Sequence, residues 1–149
     1  MILDKLVVRG TPTIRLYDAK GSLKKCLTEN NLVVDTGKNY LIRKAFDQFP
    51  GEEPSLNVIA VGSGTTPVQS TDTSLEARFA DTTINSFTFF DANEITLVAG
   101  FIQTVGTGTI NELGLLASDD TLISRIVVSE SFEKSDTDFL SINWKIQIG

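Results

Sequence analysis

Histidine is absent from this chain of 149 residues. That removes the commonest general base, the commonest metal ligand and every Ser–His or Cys–His dyad. Cysteine occurs once, at Cys26, so no internal disulfide can close and no Cys-based zinc site can assemble. With no histidine to activate it, the Cys26 thiol is expected to be a small buried hydrophobe. A single thiol also fits synthesis in a reducing cytoplasm. Basic residues are few, 13 Lys and Arg against 19 Asp and Glu for a net charge of −6, and they are scattered. No basic face exists for a phosphate backbone, so nucleic acid is not an expected partner. Long apolar runs are missing too. Nothing approaches the roughly 20 residues a membrane helix needs, and "MILDKLVVRG" breaks its apolar residues with Asp4, Lys5 and Arg9, leaving no signal-peptide core. Neither a membrane nor a cofactor is expected.

What the chain has in quantity is period-two alternation. In "FLSINWKIQIG", Leu140, Ile142, Trp144, Ile146 and Ile148 alternate with Ser141, Asn143, Lys145 and Gln147. This is a strand with one buried and one wet face. "TIRLYD" and "SLKKCLTE" flank the turn "AKG", where Gly21 can supply a positive φ. "NLVV" (31–34), "LNVIAVG" (56–62), "INSFTFF" (84–90), "EITLVAGFIQTV" (94–105), "TINELGLLA" (109–117) and "TLISRIVVSE" (121–130) complete about nine strands. Turn signals such as "DAN", "GTG" and "SDD" separate them at intervals of about 8 to 12 residues, a spacing of sandwiches and barrels rather than of βαβ units. The expected architecture is one mainly β domain over 1–149, an antiparallel β-sandwich carrying one short amphipathic helix. That helix is placed over 37–48. Asp35 or Thr36 would cap it, Leu41, Ile42, Ala45, Phe46 and Phe49 would form its buried face, and Pro50 would end it.

The stretch "VGSGTTPVQSTDTSLEAR" (61–78) poses the sharpest chemical question, because glycine-rich loops hold phosphates. A P-loop needs a lysine and a following hydroxyl after its second glycine. Gly62 and Gly64 are followed instead by Thr65, Thr66 and Pro67, and the loop contains no lysine. A structural crossing is the expectation: the glycines allow a sharp exit from the strand and Pro67 stiffens the path. "TDTSLEAR" then reads as a short helical turn capped by Thr71 or Asp72 and anchored by Leu75.

The acids give no catalytic pattern. Glu52 with Glu53, and Asp119 with Asp120, sit in turns, where paired acids serve solubility and turn geometry. "KSDTDF" (134–139) offers Asp136 and Asp138 but lacks the glycine and distal Glu of an EF-hand loop, so no metal is expected. Glu112 stands out as an acid in an apolar strand beside Gly114, a residue type that marks a bulge or a close backbone approach. A basic partner, Arg78 or Arg125, is expected to satisfy it internally.

Four stretches in order form a recognisable outline: "NLVVDTGKNYLIRKAF", "NVIAVGSGTTPVQSTDTSLEAR", "INELGLL", and "LISRIVV" followed by "FLSINWKIQI". Over about residues 31–148 the outline resembles small structural proteins of tailed bacteriophages. These share a core with the attachment modules of tail-collar fibre proteins. The resemblance implies a β-sandwich module that assembles and performs no reaction. It implies a virion location after synthesis in the host bacterial cytoplasm. It implies partners among copies of itself, as a trimer, and the major capsid protein or tail and neck proteins. Because the chain stops at Gly149 with no shaft or tip, a capsid decoration (cement) protein is expected ahead of a tail, neck or fibre-attachment component. Residues 1–30, outside the shared outline, would form an N-terminal hairpin free to act as a docking element. The residues expected to hold the structure are Gly62, Gly64, Pro67, Leu75, Arg78, Glu112, Gly114, Arg125 and Trp144. Two other readings make opposite demands. A carbohydrate- or host-surface-binding module would expose Trp144 or Tyr40 in a groove, and a hydrolase would bring two acids together in a cleft.

Overall fold

The computed structural model describes residues 7–149. Its elements in chain order are β1 (Val8–Tyr17), β2 (Leu23–Thr28), β3 (Leu32–Val33), α1 (Asp35–Ala45), β4 (Leu56–Gly62), β5 (Arg78–Thr83), β6 (Ser86–Asp91), β7 (Glu94–Phe101), β8 (Gly108–Ala117), β9 (Leu122–Lys134) and β10 (Phe139–Ile148). Two five-stranded antiparallel sheets face each other, one ordered β2-β1-β10-β7-β6 and the other β3-β9-β8-β4-β5. The expected β-sandwich is the fold.

Alternation fixes which side chains fill the space between the layers. The first sheet sends in Ile14 and Leu16 from β1, Leu97, Ala99 and Phe101 from β7, and Leu140, Ile142 and Trp144 from β10. The second sheet answers with Ile59 and Val61 from β4, Leu113 and Leu115 from β8, and Ile126 from β9. β8 is buried on both faces, since Glu112, Leu113, Gly114, Leu115 and Leu116 are all inside. The residues between the core positions of the second sheet point to its back. There Ala60, Leu116 and Leu122 form a second apolar cluster with Val34 and with Leu75 from the 63–77 loop. That loop and the start of α1 therefore roof the back of the second sheet.

The hairpin of β1 and β2 turns as expected, with Gly21 at φ 80° and Asp18 accepting from the backbone N–H groups of Lys20 and Ser22. β1 pairs with β10 from Val8 to Tyr17, so this part of the 1–30 segment is integral to the subunit's own first sheet. Residues 1–6 lie outside the described residues.

Five local expectations are corrected. The helix spans Asp35–Ala45 rather than 37–48, and its N-cap is Val34, with no side-chain cap. Thr36 instead donates its hydroxyl to the Leu122 carbonyl at 2.7 Å, tying the helix to β9. Its inward face is Gly37, Tyr40 and Leu41, which leaves Ile42 and Phe46 at 58% and 69% exposure. Gly37 sets this rotation, because a Cβ there would collide with the backbone of Ile123. The helix ends before Asp47, which takes a positive φ of 54°, and Pro50 has no part in stopping it. Second, no helical turn forms in 71–78; β5 begins at Arg78 and raises the strand count among the described residues to ten. Third, Cys26 is exposed, because β2 is an edge strand whose Lys25 and Leu27 lean inward in alternation with it. Fourth, Ile148, in phase with the buried Trp144, is 41% exposed at the end of β10, although the strand stays paired there through Val7 and Asn93. Fifth, the apolar run 94–105 is not one strand: β7 stops at Phe101 and the chain turns.

Candidate functional site

Gly62 and Gly64 leave β4 and Ala77 leads into β5, so the 63–77 loop starts and finishes at the same end of the second sheet. Glu112, on the neighbouring β8 and opposite Gly62, rises from the back of that sheet between the loop's two ends. Its Oε1 accepts from the N–H of Gly64 at 3.1 Å and of Ala77 at 2.7 Å. Its Oε2 accepts from the N–H of Glu76 at 3.1 Å and from Arg125 Nε at 2.8 Å. Both charged side chains are out of solvent. Arg125 reaches on with Nη1 to Asp72 Oδ2 at 3.0 Å, and the same carboxylate takes the Gln69 N–H. Arg125 Nη2 has no partner among the described residues.

The glycine-rich loop is thus an anion cradle after all, and the anion is the chain's own carboxylate. Backbone N–H groups and a guanidinium converge on one buried negative charge, as they do around a bound phosphate. The glycines serve proximity rather than a positive φ. A Cβ on Gly62 would stand 2.5 Å from Glu112 Oε1 and 2.6 Å from the Ala77 carbonyl; one on Gly64 would stand 2.6 Å from the same Oε1. Gly114 makes room one position along, where a Cβ would meet Leu75 at 2.8 Å. Asp72 and Glu76 are the members that sequence reasoning missed. Glu76 takes the N–H groups of Thr65 and Thr66. Hydrogen bonding from Thr66 above all, and then from Thr65, holds its carboxyl below the ordinary value against the opposing push of desolvation.

Of the residues singled out in the sequence, Gly62, Gly64, Leu75, Glu112, Gly114 and Arg125 meet in this one assembly. Pro67 borders a shallow groove beside Arg125. Arg78, the alternative partner for Glu112, is engaged elsewhere, with Asp81 at 2.7 Å and Asp120 at 3.0 Å. Trp144 belongs to the other sheet, fully buried and opposite Pro12 on β1 and Leu97 on β7. Tyr40 is 3% exposed and donates its hydroxyl to the Pro54 carbonyl. Tyr40 lines the groove beside α1 but is buried there, and Trp144 is sealed in the core, so neither ring is exposed in a groove as the carbohydrate-binding reading requires.

The remaining acids are also placed. Glu52, Glu53 and Asp119, from two separate turns, border one shallow depression; Glu53 pairs with Lys44 at 3.1 Å. An open groove of about 480 Å³ beside α1 is lined by one carboxylate, Asp35, with Asn39, Tyr40, Arg43 and Phe49. Asp138, weighed above as a calcium ligand, is buried and bound to Lys24 at 2.8 Å and to the Ser135 N–H at 2.9 Å. Next to it the buried Lys134 ammonium donates to the carbonyls of Ile102 and Gln103. Desolvation pulls the Lys134 pKa down.

Asp138 gives a pH prediction. Burial alone would push its carboxyl up, but the bonds from Lys24 and Ser135 together outweigh it, and its pKa lies below the ordinary 3.8. A carboxyl depressed on folding stabilises the protein fully above its unfolded pKa and ceases to as pH falls through the folded one. Below about pH 4, then, Asp138→Asn is expected to lose stability less steeply than the parent. Urea midpoints taken across the acid range measure this, and parallel slopes for the two proteins would contradict it.

The surface carries a different signal. Phe46, Phe79, Phe87, Phe89 and Phe90 are exposed, five of the chain's nine phenylalanines. Three of them lie within β6, every residue of which is exposed. The sequence shows "INSFTFF" as a strand; that it stands at an edge depends on pairing that no local pattern encodes. No protein-family model, curated protein or solved structure matches this chain.

Proposed function

We propose that this chain is a structural protein of a tailed-bacteriophage virion, a decoration protein that docks on the assembled head shell. The observation that carries the reading is the aromatic surface. Three of the rings sit together on the edge strand β6, and clustered apolar surface of this kind marks a contact with another macromolecule. The polar groups that might have suggested chemistry are committed to holding the fold: Glu112 and Arg125 bind the 63–77 loop, and Asp138 and Lys134 bind the turns around them. The virion setting comes from the phage-like outline of the sequence. The partners are copies of itself and the major capsid protein, with tail or neck proteins as the alternative.

Co-sedimentation separates these outcomes. Purified protein is mixed with heads assembled without it and, in parallel, with isolated tails. Saturable binding to heads is expected. Binding to tails alone moves the protein to the tail or neck, and binding to neither contradicts the assembly role.

A further inference from the structure

We infer that β6 is a self-association edge, which pairs antiparallel with β6 of a second copy across a twofold axis and continues the first sheet from one subunit into the next. The sandwich has four sheet edges: β2, β6, β3 and β5. Natural proteins protect such edges with charge, shortness or cover, because an open row of backbone N–H and C=O groups invites another strand. Three of the four are protected. β2 carries Lys24 and Lys25, β3 is two residues long, and β5 carries the Arg78–Asp81 ion pair. β6 has no charge from Ser86 to Phe90, and in their place it has Phe87, Phe89 and Phe90 at 48%, 76% and 66% exposure.

The direction of these rings explains their exposure. Phe87 is opposite Leu97 and Phe89 is opposite Ile95 on β7, and cross-strand partners share a face. Leu97 is in the core, so Phe87 and Phe89 continue the core face of the first sheet past the point where the second sheet ends. The second sheet's edge, β5, packs against β7, whereas β6 leans on β7. Among the described residues, nothing forms a lid over this apolar overhang.

The strand is complementary to itself. Antiparallel pairing centred on Thr88 sets Phe87 against Phe89 of the second copy, and Phe89 against Phe87, placing four rings side by side on one face. Asp91 then falls opposite Asn85, so no like charges meet, which matters for two bodies of net charge −6 each. The exposed parts of the three rings amount to roughly 300–500 Å² per subunit. That is about half of what one partner contributes to a standard interface, with strand backbone and flanking loops left to supply the rest. Such an interface is isologous and gives a dimer; the trimer expected from the resemblance would need a heterologous contact.

This inference names the surface for one of the proposed partners, a second copy, and rests on the docking reading only for its setting. Its test uses purified protein with no particle present, so its failure and that of shell binding are read separately. Sedimentation velocity over a concentration series is run on the parent, on Phe89→Glu, and on Phe46→Glu as a control at an equally exposed ring on α1. The inference expects a concentration-dependent dimer that Phe89→Glu abolishes and Phe46→Glu preserves. Thr88→Cys in a Cys26→Ser background tests the register, because position 88 faces itself across the axis. With a mild oxidant it is expected to cross-link, while Ser86→Cys, offset from its own copy by about 13 Å, does not. A parent that stays monomeric, or a dimer or trimer indifferent to Phe89→Glu, would overturn the inference.

Discussion

Glu112→Ala is expected to destabilise the protein by about 3–5 kcal/mol, the range for breaking a buried ion pair from one side. For a domain of this size that corresponds to a fall in Tm of roughly 10–20 °C. The cost has two sources. Arg125, 2% exposed, keeps its charge and loses its nearest counter-ion, retaining only Asp72. In addition, the N–H groups of Gly64, Glu76 and Ala77 lose their acceptor together. Unsatisfied buried donors are costly individually, and here they sit in one loop that closes over Leu75 and the rear apolar cluster. The damage should therefore be local first: amide exchange at Gly64, Glu76 and Ala77 is expected to accelerate more than exchange in β7 or β10. Glu112→Gln keeps a carbonyl oxygen in place and should cost less. Replacing the pair together, Glu112→Leu with Arg125→Met, is expected to recover part of the loss, since an apolar pair leaves no stranded charge. A Glu112→Ala protein within about 1 kcal/mol of the parent, below the loss expected of one buried charged hydrogen bond, would show that the cradle does not hold the loop.

Trp144→Ala is the second large effect, a loss of about 3–5 kcal/mol by the usual cost of emptying a core aromatic site. Trp144 is fully buried in the middle of β10, between β1 and β7. Its Nε1 has no hydrogen-bond partner among the described residues, so its contribution is packing, and the stranded N–H subtracts from it. Trp144→Phe removes that N–H and keeps most of the ring, so it should cost well under half as much as the alanine variant. Urea unfolding of both variants decides this, and in the parent the same indole, the chain's only one, reports the transition by fluorescence. Equal losses for Phe and Ala would mean that Trp144 makes a polar contact.

The layered β architecture could be read in advance because alternation is local. Leu140, Ile142 and Trp144 point one way whatever their neighbours are, and β4 was bounded to the residue by "LNVIAVG". The Glu112–Arg125 pair could be anticipated for a similar reason: an acid in an apolar strand must find a cation. What failed was whatever depended on the third dimension. β5, "RFADTT", has polar residues on both faces and begins where the loop's hydrogen bonds to Glu112 end, so it carries no strand signal of its own. The helix face was misjudged because Gly37, with no side chain to count as apolar, makes the closest approach to β9. Cys26 was placed inside because nothing in "SLKKCLTE" says that the strand lies at an edge. The roles of Asp72 and Glu76 follow from a loop folding back on β8, and two acids among Ser and Thr do not announce it.

The exposed phenylalanines carry the same lesson on the functional side. "SFTFF" has the composition of a buried strand, and it lies on the surface because the opposite sheet stops one strand short. An open edge strand with no charge from Ser86 to Phe90 is what a partner strand would cover, and the proposal of this protein as an assembly component depends on that step. The proposed virion role is tested most directly by a density map of phage particles purified from cells that produce the chain, at a resolution that identifies side chains. The account predicts ordered copies of this sandwich on the outer shell, in contact with the capsid lattice. A complete particle map with no density for the chain on head, neck or tail would contradict it.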